Sequence, residues 1–341
     1  MKVLVTGGAG FVGSNVTSLL YEKGYKVTIF DSLFRKGSEN NIKWIKETMP
    51  GVEVLKVDIG KHEELKKASA GKDFIVHCAA QTAVTTSITD PRGDFEANAL
   101  GTFNVMEAAR KNGCGVIYTS TNKVYGDNVN KVPIKELKTR YDFSNEFAGR
   151  GIPPSFPIGA REHTPYGCSK LSGELYVKDY FSVYGVPTVV NRMSCIYGTR
   201  QFGTTDQGWV SYFINSVLFG KPFTVYGDGK QVRDILFGQD LARLILMQME
   251  KIDSVKGGIF NTGGGYGNTV SLLELLKILE KMTGKEAKSG FSGWRPADQK
   301  VYYSDISALK DMVGWRPEVS YEEGIRKTMR WMQDNERASH A

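Results

Sequence analysis

The chain has 341 residues, is 41% hydrophobic and 24% charged, and carries a net charge of +7. That balance is of a folded globular protein and excludes a disordered or fibrous chain, and no apolar run approaches the roughly 20 residues that cross a bilayer. The basic residues are interleaved with acids, as in Glu63-Glu64-Leu65-Lys66-Lys67, which reads as a solvated helix face and not as a nucleic-acid surface. The four cysteines (Cys78, Cys114, Cys168, Cys195) and four histidines (His62, His77, His163, His340) share no metal-ligand spacing, so reduced thiols and no metal site are expected. Residues 1–6 run directly into a glycine cluster without the regions of a secretory signal, which makes a cytoplasmic location the expectation.

In chain order, β-branched runs predict strands over 2–6, 26–30, 53–57, 73–78 and 116–120, with amphipathic stretches such as 13–23 and 97–111 between them. This alternation predicts an α/β fold, a doubly wound parallel sheet with helices on both faces. The stretch 127–164 carries Pro133, Pro153, Pro154 and Pro157 and little periodicity. It reads as a loop over the active site or, equally, as a surface insertion. A helix over 166–184 and a strand over 187–193 come next. Beyond Gly198, helices over 209–219, 241–249, 271–281 and 321–334 are separated by Gly- and Pro-containing turns. The expected division is a sheet domain over 1–195 and, over 196–341, mainly a smaller C-terminal lobe against the sheet's carboxyl edge, with some segments returning to the first domain.

Gly7, Gly10 and Gly13 lie between the first strand and the first helix, around Phe11 and Val12. Missing side chains there let the backbone approach a pyrophosphate, and the helix start offers free N–H groups and a positive dipole end. Asp31 ends the second strand 18 residues beyond Gly13, close to the spacing of an acid that accepts hydrogen bonds from the ribose hydroxyls and repels a 2′-phosphate. NAD is therefore expected, although Arg35 and Lys36 leave NADP open.

Tyr166 and Lys170 are four apart on a predicted helix and share a face. A nearby ammonium favours the ionised phenol, which suits Tyr166 as a base. Thr121 follows the fifth strand, where hydroxyls face the ligand crevice. Ser120 reads as a strand-end cap and Cys168 as structural.

Together, Gly7-x-x-Gly10-x-x-Gly13, Asp31, Asn98-Ala99-Leu100-Gly101-Thr102, Ser120-Thr121 with Val124-Tyr125-Gly126, Tyr166-x-x-x-Lys170, Arg233-Asp234-Ile235-Leu236 and Arg295-Pro296-Ala297-Asp298 resemble the extended short-chain dehydrogenase/reductase (NAD-dependent epimerase/dehydratase) family of nucleotide-sugar enzymes. The resemblance implies a Rossmann-type sheet, tightly held NAD, a C-terminal substrate lobe and a homodimer. It implies that Asp58, Ile59, Ala79 and Ala80 join the glycine loop, Asp31 and Lys170 around the cofactor.

Dehydratases of this family have Asp and Glu after the threonine of the fifth strand; here Asn122 and Lys123 stand there. Longer runs, such as 120–126, 165–170, 197–202 and 229–234, resemble the branch that epimerises CDP-hexoses at C2. Cys195 stands where many 4-epimerases carry Asn. The resemblance thus implies C2 epimerisation through a transient 2-keto sugar, with Tyr166, Lys170 and Thr121 catalytic. A UDP-hexose 4-epimerase is the alternative, and an NAD-binding regulator without turnover is a third reading.

For the substrate diphosphate, Arg233 and Arg295 are candidates, because guanidinium forks match phosphate oxygens. Asn122, Gln201, Gln207 and Trp209 are candidates for the sugar or cytosine pocket, with core packing an equal alternative for Trp209. Thr85, Thr86 and Ser87 are candidates for sugar hydroxyls, with helix capping as the competing role.

Overall fold

The computed structural model describes residues 1–295 and 297–340. Its centre is a sheet of seven strands in the spatial order Gly258–Thr262, Thr188–Met193, Gly115–Thr121, Phe74–His77, Lys2–Thr6, Lys26–Asp31, Glu53–Lys56. Every pairing is parallel. The first strand lies inside the sheet, so the order reverses between Lys2–Thr6 and Phe74–His77, and ligands of such sheets bind at the carboxyl ends near that switch.

The strand sequences explain their position. Val3, Leu4 and Val5 are fully buried, as expected for strands covered on both faces. On one face Val16 and Leu20 of the helix Phe11–Glu22 join Leu241, Leu244 and Ile245 of Gly238–Glu250. On the other, Val105 and Met106 of Gly101–Asn112 join Val177 and Tyr180 of Thr164–Tyr184. The seventh strand, Gly258–Thr262, comes from the second half of the chain and closes the sheet against Thr188–Met193. Among the described residues no helix is long and apolar enough to cross a membrane.

A second core lies beyond the sheet's carboxyl edge. Val232–Phe237 pairs with Cys195–Tyr197, Thr269–Ser271 and Val301–Tyr302. The helices Trp209–Leu218, Leu272–Thr283 and Tyr321–His340 contribute Ile214, Leu275 and Ile325 to that core. Phe223–Tyr226 and Ser289–Ser292 form a separate parallel pair.

The stretch 127–164 departs from the expectation of a loop over the site. Two 3-10 turns, broken by a kink at Gly126, cover Asn122–Lys131, a hairpin joins Ile134–Glu136 to Tyr141–Phe143, and Ile152 bridges to Ser304. Tyr125, Val129, Phe143 and Ile152 pack on Val232, Tyr302 and Tyr303, and Arg140 pairs with Glu274. None of residues 127–164 lines the main cavity. The prolines concealed widely spaced aromatic and β-branched residues whose partners lie far away along the chain, so no local period marked the segment as a brace for the second lobe.

Candidate active site

The dinucleotide end is built from the first strand, its turn and the first helix. Gly7 has φ +68°, and an added Cβ would sit 2.6 Å from the Ala79 nitrogen; at Gly13 it would sit 2.2 Å from the Gly7 oxygen. Both glycines are therefore required for the tight turn. At Gly10 the nearest obstacle is the Gly7 oxygen at 3.2 Å, so this glycine leaves an open face. No side chain caps the helix that begins at Phe11, which leaves its first N–H donors, from Phe11 and Val12 onward, for an anion. Asp31 is held at the end of the second strand by the N–H groups of Ala9 (2.9 Å) and Leu33 (2.8 Å). Burial raises its pKa against those two bonds. An open glycine face, an uncapped helix start and a fixed carboxylate fit a dinucleotide.

Ile59 is buried nearby, and Asp58 is exposed, with one oxygen accepting from the Gly60 N–H. Ala79 and Ala80 follow the fourth strand, half-buried. Arg35 reaches Thr82 Oγ1 at 2.8 Å and also donates to Gln207. It thereby joins loops of the first half to the segment ahead of Trp209–Leu218.

Tyr166 and Lys170 lie in the first two turns of Thr164–Tyr184. Thr121 ends the fifth strand, and its hydroxyl faces the Tyr166 phenol. Burial pushes the phenol up to about 12; the Thr121 hydrogen bond opposes this and the Asp94 charge adds to it. Burial drives Lys170 down to about 7, against the raising effects of Cys78, Asp94 and Glu174. Its amine lies over the Tyr118 ring at 4.4 Å. His77, 1% exposed, is wedged between Thr6 Oγ1 and Thr102 Oγ1 at 2.7 and 3.1 Å. Burial and the Lys170 charge hold it neutral, down to about 3.

A cavity of about 630 Å³ opens between this edge and the second lobe. Val84, Thr85 and Lys123 line it on the sheet side, and Cys195, Trp209, Phe213, Tyr226, Gln231, Arg233, Arg295 and Asp298 on the other. Arg233 donates to Asp298 Oδ1 at 2.6 Å, and Arg295 lies over the Tyr226 ring at 4.1 Å while donating to the Thr205 carbonyl at 2.7 Å. Lys123 donates to the Ala297 carbonyl at 3.0 Å, and burial lowers its pKa. Trp209 donates to Cys195 Sγ at 3.2 Å. A cavity lined by Lys123, Arg233, Lys288, Arg295 and several aromatic rings suits an anionic ligand with a planar base.

Of the sequence candidates, Thr85, Trp209, Arg233 and Arg295 share the cavity. Asn122 lies just behind it, buried, with its amide on Gln299 at 3.2 Å. Thr86 is exposed. Ser87 is fully buried and donates to the Val84 carbonyl at 2.7 Å. The three hydroxyls sit within the helix Val84–Thr89, whose N-cap is Ala83, so none of them caps it. Gln201 is committed to the Ile196 carbonyl and to Ser211. Gln207 is the acceptor of Arg35. Pro296, in the Arg295–Asp298 motif, lies outside the described residues.

Lys123 and Asp94 were not among the sequence candidates for the site. Lys123 was legible only as the absence of an acid. Asp94 has one sequence signal, its placement four residues before Asn98, and its partners Gln81 and Ser169 are distant in sequence.

The NAD dependent epimerase/dehydratase family matches residues 3–263. The chain belongs to that family. It is therefore an enzyme of the NAD-dependent type. A CDP-paratose 2-epimerase of Salmonella typhi is 38% identical over 97% of this chain and 99% of its own length. A putative UDP-glucose 4-epimerase of Methanocaldococcus jannaschii is 33% identical over 98% and 99%. Among solved structures, the dTDP-glucose 4,6-dehydratase DesIV of Streptomyces venezuelae, with NAD and TYD bound, superposes with a TM-score of 0.84 at 27% identity, covering 98% of each chain. The family thus spans epimerisation and dehydration on one architecture, and local residues must separate them.

Proposed function

We propose that this enzyme epimerises a CDP-hexose at C2, of the CDP-paratose/CDP-tyvelose or the CDP-glucose/CDP-mannose type, through a transient 2-keto sugar. The observation that carries the reading is the pair of residues directly after Thr121. Asn122 and Lys123 are bound to Gln299 and to the Ala297 carbonyl. Neither is a carboxylate able to handle the proton and water of an elimination. The full-length likeness to a CDP-paratose 2-epimerase supports the choice of base and carbon.

The residues divide the work. The Tyr166 phenolate takes the proton of the sugar C2 hydroxyl, and Thr121 donates to the phenol oxygen and stabilises its ionised form. The Lys170 ammonium balances that charge. Arg233 and Arg295 hold the diphosphate, leaving the sugar free to turn between its two faces. Trp209 and Phe213 give the cavity its apolar wall. Bound NAD supplies a reversible acceptor for the hydride on C2. Gly10, Asp31, the start of Phe11–Glu22, Ile59 and the Ala79–Ala80 backbone would hold it.

The assembly expected is a homodimer. Leu175, Tyr176, Val183 and Tyr184 of Thr164–Tyr184 are 44–61% exposed, an apolar strip that a second copy would cover.

The test is a substrate panel assayed by NMR without added cofactor: CDP-paratose, CDP-glucose and UDP-glucose. Inversion at C2 of a CDP-sugar supports the reading, and inversion at C4 of UDP-glucose alone replaces it.

A further inference from the structure

Beneath the tyrosine–lysine pair lies a carboxylate that the reaction itself does not use. Asp94 belongs to the short helix Pro91–Phe95, which continues into a π-helical turn over Glu96–Leu100. It is 1% exposed. One oxygen accepts the Ser169 hydroxyl at 2.5 Å. The other accepts the Gln81 amide at 2.8 Å and the Asn98 amide at 3.0 Å. All three partners donate, which is the pattern of an ionised carboxylate.

Each partner belongs to a different part of the site. Ser169 sits between Tyr166 and Lys170 on the catalytic helix. Gln81 stands in the loop just after Ala79 and Ala80, and its side-chain oxygen also fixes the Ala83 N–H at 2.5 Å, ahead of the cavity-lining Val84 and Thr85. Asn98 also reaches the Gln81 carbonyl at 3.0 Å. One buried group thereby joins the catalytic helix, the cofactor-side loop and the wall of the substrate cavity.

The charges around Lys170 make Asp94 more than a tether. From the strand Phe74–His77 and the residue after it come His77, held neutral, and Cys78, whose thiol burial pushes up to about 12. From Gly115–Thr121 comes the Tyr118 ring. From the helix of Lys170 itself come Tyr166 and Glu174, and Glu174 is already paired with the buried Arg192 guanidinium. Asp94, from Pro91–Phe95, accepts only from neutral side chains.

We propose that Asp94 is a positioning residue of the reaction: through Ser169, Gln81 and Asn98 its carboxylate holds Tyr166 and Lys170 in register with the substrate cavity, and it serves as the counter-charge of the Lys170 ammonium. The proposal rests on Tyr166 and Lys170 being the catalytic pair. Its chemistry is local. Asp94 favours the charged form of Lys170 and opposes ionisation of Tyr166. Removing its charge therefore lowers both pKa values, and both limbs of the pH–rate profile move to lower pH.

Asp94→Asn is the direct test, because the amide keeps the shape and its oxygen can still accept from Gln81 and Asn98. In the NAD-loaded enzyme the variant is expected to lose about tenfold in kcat at neutral pH. KM and bound NAD should stay near wild type, and the descending limb should move acidward by about one pH unit. Ser169→Ala removes the tether and keeps the charge; it should lower kcat and leave the limbs in place. If both variants have the wild-type profile, or if Asp94→Asn lowers kcat with the limbs unmoved, the proposal is overturned. If Asp94→Asn fails to fold, Ser169→Ala decides, and an unchanged kcat there overturns the proposal. Tyr166→Phe separates the two assignments. Wild-type turnover in that variant removes the catalytic pair, whereas its inactivity beside an unperturbed Asp94→Asn removes the Asp94 role alone.

Discussion

Arg35 donates to the side-chain oxygen of Gln207, 172 positions further along the chain. Its other terminal nitrogen holds Thr82. The arginine follows Asp31 by four residues, Thr82 follows Ala79 and Ala80, and Gln207 leads into the cavity-lining helix. The three loops at the carboxyl edge are thus tied together where a dinucleotide of such a sheet binds. Arg35→Ala should leave the fold intact and release the cofactor about tenfold faster, the worth of one charge-assisted bond. NAD remaining after gel filtration, read by absorbance, checks this. Gln207→Ala should act in the same direction, and the double variant should add little, since the two share one contact.

Thr121 sets how readily the Tyr166 phenol ionises. Its bond holds the Tyr166 pKa below the value burial alone would give. Removing it raises that pKa, so ionisation is reached only at higher pH. Thr121→Val should cost about 10- to 100-fold in kcat, as for a hydrogen bond to a charged group, and shift the limb of the rate profile that reports Tyr166 to higher pH. A kcat–pH series on the two proteins measures both.

Arg233 is tied to Asp298 and faces the cavity. Arg233→Met leaves Asp298 without that partner and removes a guanidinium from the diphosphate position. KM for the CDP-sugar should rise about 10- to 100-fold, with a smaller change in kcat. Arg233→Lys should recover only part of the loss, because an ammonium lacks the planar fork. Steady-state kinetics with the CDP-sugar substrate decides.

The exposed strip on Thr164–Tyr184 makes an assembly prediction. Val183→Asp with Tyr176→Asp places two charges where a partner would bury apolar surface. Size-exclusion chromatography with light scattering should report a dimer for the wild type and a monomer for the variant.

The sheet was legible because its code is local. Val3 to Val5, Val27 to Phe30 and Val116 to Tyr118 are β-branched and apolar-rich runs bounded by turns, and Gly7, Gly10 and Gly13 sit where a strand turns into a helix. Tyr166 and Lys170 were legible for the same reason, being one helical turn apart. The seventh strand, Gly258–Thr262, was not foreseen, since its place depends on pairing with the distant Thr188–Met193. The hydroxyls of Thr85, Thr86 and Ser87 looked equivalent in sequence. The helix Val84–Thr89 turns Ser87 inward to its own backbone and leaves Thr86 at the surface, while Thr85 reaches the cavity wall. Nothing in the sequence around Gln201 marks its amide as engaged; its bond to Ser211 depends on the helix Trp209–Leu218 being in place.

The central claim is that a carbon–hydrogen bond at C2 of the bound hexose is broken and remade within one enclosed site. Supplying a CDP-hexose deuterated at C2, in ordinary water, to the enzyme as purified tests it most directly. The epimerised product is expected to keep its deuterium at C2. Product with the label exchanged for solvent hydrogen, or inverted at a carbon other than C2, contradicts it.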